Sequence, residues 1–427
     1  MDQSGCNSIS FTKSEALYEE ACKYVVGGTT KAKMPDNNIV GAYPIYASRG
    51  KGAYLWDVDG NKYIDYVLGY GIIVLGYCEQ VVDEAAVSEI HDGFTFPLTK
   101  PVQNRLGELL VEIIPCAQRA HFFKTGSDAT SAAVRAARIY TGRDKIVRWG
   151  YNGWHDWCCS HDAGIPRHVR EDTLTFVYND LNSLENAFNK NKGQIAALIM
   201  MPLELEKPEE GFLEGAKEIA QKNGALFILD EMRSGFRMSL GGAQEYYKVT
   251  PDLATFSKAI ANGYAISALV GREDVMEGIL QSHMSSTFFT NALEMAAAVA
   301  TIERMKKGDV IPYLWEMGGK FVDGLSGLIK DKGIEAEMVG VAPMPFLIFT
   351  YDNQSWFTST GQTGRPFLKS GSRAEKAWNA FYTETTQNGV LLHPNHHWFV
   401  SRAHTQEDID YTLSVCEQAF DKVKNIL

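Results

Sequence analysis

Two short apolar runs each end in a residue able to do covalent or ionic chemistry. Leu226-Phe227-Ile228-Leu229 is followed at once by Asp230 and Glu231, and Leu253-Ala254-Thr255-Phe256 delivers Ser257 and Lys258. Runs of this length and composition read as buried strands. In an open α/β sheet, ligands gather outside the carboxyl ends of the strands. A lysine and a carboxylate at two such ends can hold a carbonyl cofactor. The amine forms a Schiff base with pyridoxal phosphate (PLP), and the carboxylate keeps the pyridine nitrogen protonated. Taken singly, each reads better as a surface lysine or an aspartate closing a turn. The surrounding motifs favour the cofactor.

Phe122-Phe123-Lys124-Thr125-Gly126-Ser127-Asp128 reads as a strand, a glycine turn and a helix start. Ala129, Ala132, Ala133, Ala136 and Ala137 mark one face of that helix. Its N-terminus offers unpaired N–H groups and the positive end of the dipole, and so a place for a phosphate with Ser127 as extra donor. An ordinary helix capped by Ser127 or Asp128 fits the same residues. Trp149-Gly150-Tyr151-Asn152-Gly153-Trp154 puts aromatics at the end of the next strand. Tyr151 is the one chosen to stack on a planar ring. Thr287, in Ser286-Thr287-Phe288-Phe289-Thr290-Asn291, is either a phosphate ligand or a helix cap.

These residues need a scaffold of alternating strands and helices. Strands are expected at 120–124, 145–149, 174–178, 195–200, 225–229, 253–256 and 266–270, with helices at 128–140, 181–190 and 212–222. That alternation means an α/β fold with a mainly parallel seven-stranded, doubly wound sheet. Before it, residues 11–26 read as a helix, GAYLWDVDGNKYIDYV as a hairpin around Asp59-Gly60, and 80–92 and 101–114 as helices. After Asn291 a long Ala- and Met-rich helix leads to strand candidates at 338–351 and 389–401 and a last helix over 407–425. The expected division is an N-terminal segment (1–75), a large cofactor-binding domain (76–305) and a small α+β C-terminal domain (306–427).

Composition narrows the function. A net charge of −11 disfavours nucleic acid, which needs a basic face, and leans weakly toward a cationic substrate. Seven scattered cysteines without a CxxC pair fit the reducing cytoplasm and offer no zinc site. The N-terminus MDQSGCNSIS has no apolar signal core, and the stretch from Val67 to Cys78 is too short to span a bilayer. His393, His396 and His397 have permissive ligand spacing, but no carboxylate or cysteine cluster accompanies them, so no metal is expected. A nucleotide-binding module lacks its GxGxxG turn.

The motifs, in order, resemble those of the class III PLP-dependent aminotransferases of fold type I, and within them the glutamate-1-semialdehyde aminomutase-like subgroup. The resemblance runs from about residue 15 to the end. It includes GAYLWDVDGNKYIDYV, TGSDATSAAVRAARIYTGRDKIV, LDEMRSGFR, FSKAIANGY, STFFTN and AHTQEDID. It implies that Lys258 is the Schiff-base lysine and proton shuttle and that Asp230 pairs with the pyridine nitrogen. Met232 stands where the family usually has valine on the ring face. Gly126, Ser127 and Asp128 replace Gly-Thr-Glu at the phosphate cup. Tyr151 stacks on the ring, Asn152 replaces the histidine of Tyr-His-Gly, and Thr287 reaches the phosphate from a second subunit. An obligate homodimer with shared active sites follows from that last role.

Three departures bear on the substrate. The segment Trp157 to Asn179 is shorter than the aminomutase lid, His396 falls near the place of an acidic residue, and the loop TTKAKM carries no arginine. Tyr70 falls where related enzymes have a substrate-lining aromatic, so Tyr70 and His396 are the substrate-site candidates. The expected activity is ping-pong transfer of an amino group from an amino-acid donor, glutamate, to an aldehyde or ketone. The absent arginine and the acidic charge suit a polyhydroxylated or cationic acceptor such as an amino sugar or aminoglycoside intermediate. The alternative is an aminomutase-type isomerase.

Overall fold

The computed structural model describes residues 9–30, 33–353 and 368–427. The start of MDQSGCNSIS and two residues of TTKAKM therefore lie outside the described residues. Strands β1 (Ala47–Lys51), β2 (Tyr54–Asp57) and β3 (Lys62–Asp65) form an antiparallel meander. The expected hairpin is its β2–β3 turn. The Asp57 carboxylate closes it by accepting from the Asn61 N–H at 2.8 Å and the Tyr63 hydroxyl at 2.8 Å, while Gly60 takes a φ of +92°. Asp59 accepts from the Lys13 and Ser14 N–H groups at 2.7 and 3.0 Å and so caps the first helix. That helix spans only Thr12–Ala21, shorter than the sequence pattern suggests. Its continuation buries nothing: Tyr24 and Val26 are 81% and 99% exposed.

The central sheet comprises β4 (Arg119–Phe123), β5 (Lys145–Trp149), β6 (Thr173–Thr175), β7 (Ile195–Met200), β8 (Leu226–Asp230), β9 (Leu253–Phe256) and β10 (Ser267–Gly271). Their spatial order is β4-β10-β9-β8-β7-β5-β6. β10 runs antiparallel to β4 and β9, and the other pairings are parallel. This is the seven-stranded sheet the alternation predicts. β7 and β8 are buried along their whole lengths, as strands covered on both faces must be. The alanine face of helix Gly126–Thr141 covers one side. Leu184 and Phe188 of helix Leu181–Lys190, with Leu213 and Ala216 of Phe212–Lys222, cover the other. Helix Gly126–Thr141 begins two residues before its expected start because Thr125, not Ser127 or Asp128, is its N-cap. β6 is short because the chain turns after it, with the Val177 N–H donating to Ser183 Oγ at 3.0 Å.

After helix Ala292–Met305, a turn leads into the 23-residue helix Val310–Lys332. The candidate 338–351 is part of a hairpin of β11 (Ala336–Val341) and β12 (Met344–Phe349). Of the candidate 389–401, only β13 (Val390–Leu391) is a strand, and it pairs parallel with β3. The rest threads past other backbone: the Trp398, Phe399 and Val400 N–H groups donate to Pro345, Tyr66 and Pro343 carbonyls. One apolar cluster contains Ile39, Ile64 and Tyr66 together with Phe321, Phe349, Phe381 and Phe420. The N-terminal strands thus share a core with the C-terminal third of the chain. The last helix spans Gln406–Ile426 behind a Thr405–Asp408 capping box. Among the described residues no helix is long and apolar enough to cross a membrane.

A pair of adjacent glycines tests this packing. A Cβ on Gly318 would sit 2.0 Å from the Ala342 carbonyl oxygen, whereas one on Gly319 would meet nothing within 4 Å. Gly318→Ala is expected to lower unfolding free energy by about 1–3 kcal/mol, because backbone cannot yield cheaply. Gly319→Ala is expected to raise it by up to ~1 kcal/mol through helix propensity. Urea denaturation of the two variants checks both signs.

Candidate active site

The carboxyl ends of β8 and β9 lie side by side, with Asp230 opposite Thr255. Asp230 is 1% exposed. Its carboxylate accepts from Asn152 Nδ2 at 2.8 Å and from the Met232 N–H at 3.1 Å. Burial raises the Asp230 pKa, and those two hydrogen bonds hold it down. Asn152 Oδ1 is buried with no hydrogen-bond partner among the described residues.

Beyond Phe256 the chain enters a one-turn 3₁₀ helix, Lys258–Ala261. Lys258 has a φ of +48°, a left-handed conformation that a lysine adopts only under constraint. Two neighbours supply the constraint. Ser257 Oγ donates to the Ile266 carbonyl at 2.8 Å. Asn262 Oδ1 accepts from the Val74 and Leu75 N–H groups at 2.9 Å each, and its Nδ2 donates to the Gly76 carbonyl at 2.9 Å. Burial lowers the Lys258 pKa to about 7, with the Arg233 charge adding to the shift and Asp230 and Glu204 opposing it. A large fraction of the amine is therefore neutral, and nucleophilic, near pH 7.

Asp230 and Lys258 line one cavity of about 200 Å³ with Gly126, Ser127, Tyr151, Asn152 and Met232. At one end lies the N-terminus of helix Gly126–Thr141. A Cβ on Gly126 would come within 2.9 Å of Met232 Sδ, and one on Gly153, whose φ is +121°, within 2.5 Å of Ser127 Oγ. Small residues thus keep this end open. Tyr151, 56% exposed, stands at the mouth. An anion-binding helix start, a buried carboxylate with a hydrogen-bonded partner, and an uncharged amine fit the phosphate, ring nitrogen and aldehyde of PLP.

Four sequence candidates fall elsewhere. Asp128 accepts from the Thr125 N–H and hydroxyl at 2.8 Å each, so its carboxylate serves the capping box and not the cavity. Thr287 is exposed and does not reach the cavity within one chain. Tyr70 and His396 pack on each other with ring centroids 5.2 Å apart, beside the cavity wall and not in it. Tyr70 sits in a run of positive φ from Leu68 to Gly71. The Asp65 carboxylate, accepting from the Val67 and Leu68 N–H groups, and Arg237, donating to the Gly71 carbonyl, hold that run. Burial and the Arg233 charge push the His396 pKa well below its usual value. No group of three or more metal-ligating side chains occurs among the described residues.

The sequence reading missed Met201, Gly153, Ser257 and Arg233 in the cavity wall. Arg233 matters most, because a cation stands in the wall even though the TTKAKM loop carries no arginine. Its Nη1 pairs with the Glu204 carboxylate and approaches His397 Nδ1 at 3.0 Å. Its position three residues after Asp230, in the turn leaving β8, was the available signal.

This sheet and cavity define a fold type I PLP-dependent transferase. The family Aminotransferase class-III matches residues 36–342. The 3-aminobutyryl-CoA aminotransferase of Cloacimonas acidaminovorans (strain Evry) is 40% identical over 98% of this chain and 99% of its own length. The glutamate-1-semialdehyde 2,1-aminomutase of Archaeoglobus fulgidus is 33% identical over 96% of this chain and 100% of its own. The solved structure of the FumI protein of Sphingopyxis sp. MTA144, in its PLP internal aldimine form, superimposes with a TM-score of 0.89 at 30% identity, covering 97% of both chains. The chain belongs to the class-III aminotransferases, and PLP is its cofactor.

Two measurements test the site. In cofactor-free protein, labelling of Lys258 by trinitrobenzenesulfonate is expected to be half-maximal near pH 7, as the lowered pKa of about 7 requires. A midpoint near that of an ordinary lysine would contradict the burial. The unfolded chain binds this proton more tightly than the folded one, so this group's contribution to stability rises with pH from about 7 to 10.5. Lys258→Met is expected to remove that slope in thermal melts.

Proposed function

We propose that this aminotransferase moves an amino group between glutamate and the keto carbon of a 3-oxoacyl thioester, by ping-pong kinetics. The observation carrying this reading is the 40% identity, over essentially the whole of both chains, to a 3-aminobutyryl-CoA aminotransferase. When bound, the cofactor supplies an electron sink for the carbanion formed at the substrate carbon. Lys258 anchors it covalently and, once released, carries the proton to and from the carbon bearing the amine. A pKa of about 7 suits that exchange. Asp230, oriented by Asn152, keeps the ring nitrogen protonated. The N–H groups of Gly126 and Ser127 hold the phosphate, Tyr151 stacks on one ring face, and Met232 lies against the other.

Thr287 reaches a phosphate only from a second copy, and the reading includes a homodimer. Support comes from one edge of the molecule. The Ala292 N–H donates to the Phe94 carbonyl at 3.0 Å, and Thr95 Oγ1 to Asn291 Oδ1 at 3.0 Å, drawing two loops together. On those loops Leu98 and Phe288 are 78% and 57% exposed. Exposed apolar residues grouped in this way suit a partner surface. Free cysteines at the six described positions fit a cytoplasmic setting. The amino-sugar acceptor loses one of its two supports, because Arg233 puts a cation in the cavity wall. The aminomutase reading retains the support of relatives 31–33% identical.

The assay is direct. Purified enzyme with 3-aminobutyryl-CoA and 2-oxoglutarate is expected to release glutamate stoichiometrically. Conversion of glutamate-1-semialdehyde without exchange of its amino group into 2-oxoglutarate would favour the mutase. Lys258→Ala is expected to lower turnover by roughly 10²–10⁴-fold or more. Analytical ultracentrifugation is expected to show a dimer, and a monomer with full activity would remove Thr287 from the site.

A further inference from the structure

Helix Gly126–Thr141 grips the segment that follows β5 through three hydroxyls. Ser127 Oγ accepts from the Trp154 N–H at 3.3 Å, and Thr130 Oγ1 donates to the Asn152 carbonyl at 2.6 Å. Ser131 stands one turn beyond Ser127 on the same face. Its Oγ accepts from Trp157 Nε1 at 2.9 Å and lies 2.7 Å from His155 Nδ1. These are the side-chain partners of Ser131 among the described residues. An indole N–H can only donate, so it fills a lone pair of Ser131 and leaves the hydroxyl proton for His155 Nδ1. The clasp is itself anchored. The His155 carbonyl accepts from the Cys158 and Cys159 N–H groups at 2.9 and 3.0 Å. Buried Arg148 of β5 donates to the Cys158 carbonyl at 2.6 Å, and Thr173 of β6 to the Trp157 carbonyl at 2.8 Å. Residues 154–158 are thus stapled to both helix and sheet.

The consequence falls on Ser127, which lines the cavity with Gly126 and Gly153. The φ of +121° at Gly153 brings the chain so close that a Cβ there would lie 2.5 Å from Ser127 Oγ. A hydroxyl has one proton and two lone pairs. While the Trp154 N–H occupies one lone pair, the proton cannot point at Trp154 and is left for an oxygen at the helix start. We propose that Ser131 and His155 are positioning residues for the cofactor phosphate. By clasping residues 154–157 to the helix they hold the Trp154 N–H against Ser127, and so orient the Ser127 hydroxyl as a donor to a phosphate oxygen. This rests on the placement of the phosphate at this helix start and deepens it.

The test measures dissociation constants of PLP and of pyridoxal, which lacks the phosphate, by absorbance titration of cofactor-free protein. The change in their ratio between variants isolates the hold on the phosphate. Ser131→Ala is expected to weaken PLP by about tenfold or more and pyridoxal by less than about twofold. The phosphorus NMR resonance of bound PLP is expected to move in the same variant. Ser131→Thr keeps the hydroxyl and is expected to restore the ratio. His155→Asn, which keeps an acceptor near the place of Nδ1, is expected to behave like wild type, and His155→Ala like Ser131→Ala. Equal weakening of PLP and pyridoxal in Ser131→Ala would make the clasp merely structural and overturn the proposal, as would unchanged PLP binding. If Ser131→Ala does not fold, the two His155 variants decide by the same ratio. Ser127→Ala separates the underlying placement from the clasp. A PLP constant unmoved by Ser127→Ala means that the phosphate lies elsewhere. A loss in Ser127→Ala with none in Ser131→Ala counts against the clasp alone.

Discussion

The site depends on the register between two parallel strands. Asp230 on β8 lies opposite Thr255 on β9, so Lys258 emerges three residues further along the neighbouring strand. A shift of one residue would turn the side chains of β9 to opposite faces and carry the turn that bears Lys258 with it. The register is pinned by burial, since no residue of either strand has an exposed face to which it could slip. It is pinned also by Asp252, whose carboxylate accepts from the Phe227 N–H at 2.8 Å and pairs with Arg272. The catalytic geometry is thus a by-product of sheet packing.

Around that register the fold buries an unusual set of charges, and each has a distinct balance. Glu231, next to Asp230 and fully buried, spends its carboxylate on the Ala243 and Gln244 N–H groups and the Ser234 hydroxyl. Arg237 spends its guanidinium on the Val400 and Gly71 carbonyls. These two build walls, and what they touch is backbone. Asp230, Lys258 and Arg233 instead line a cavity, while the Nε atoms of Arg233 and Arg237 alike have no hydrogen-bond partner among the described residues. Within one motif, LDEMRSGFR, it is position at the cavity that separates Asp230, Met232 and Arg233 from Glu231 and Arg237.

Much of this was legible in the sequence where chemistry and local pattern coincide. Asp230 and Lys258 each close a run of apolar residues, and the helix after Gly126 announces itself by its alanine face. What escaped depends on contacts distant along the chain. Arg233 acquires meaning only through Glu204 and through His397, 164 positions away. Asp128 looked like a ligand because the sequence does not reveal that Thr125 recruits it to cap the helix. Residues 389–401 read as a strand candidate, but beyond Leu391 the chain lies between other segments' carbonyls, a path that the local sequence does not encode. The left-handed run at Leu68–Gly71 is signalled locally only by Gly69 and Gly71; that Leu68 and Tyr70 share it depends on Asp65 and on the distant Arg237.

The pairing of β3 with β13 carries a consequence for biogenesis. Ile64 and Asp65 find their parallel partners at Val390 and Leu391. During synthesis the meander of residues 47–65 must wait, one ladder edge unfilled, until residues 390–391 have left the ribosome, whereas the central sheet between residues 119 and 271 can assemble well before. Closure of that small sheet is therefore a late event that joins segments more than 300 residues apart, and a nascent chain stalled before it would present a bare strand edge to its neighbours.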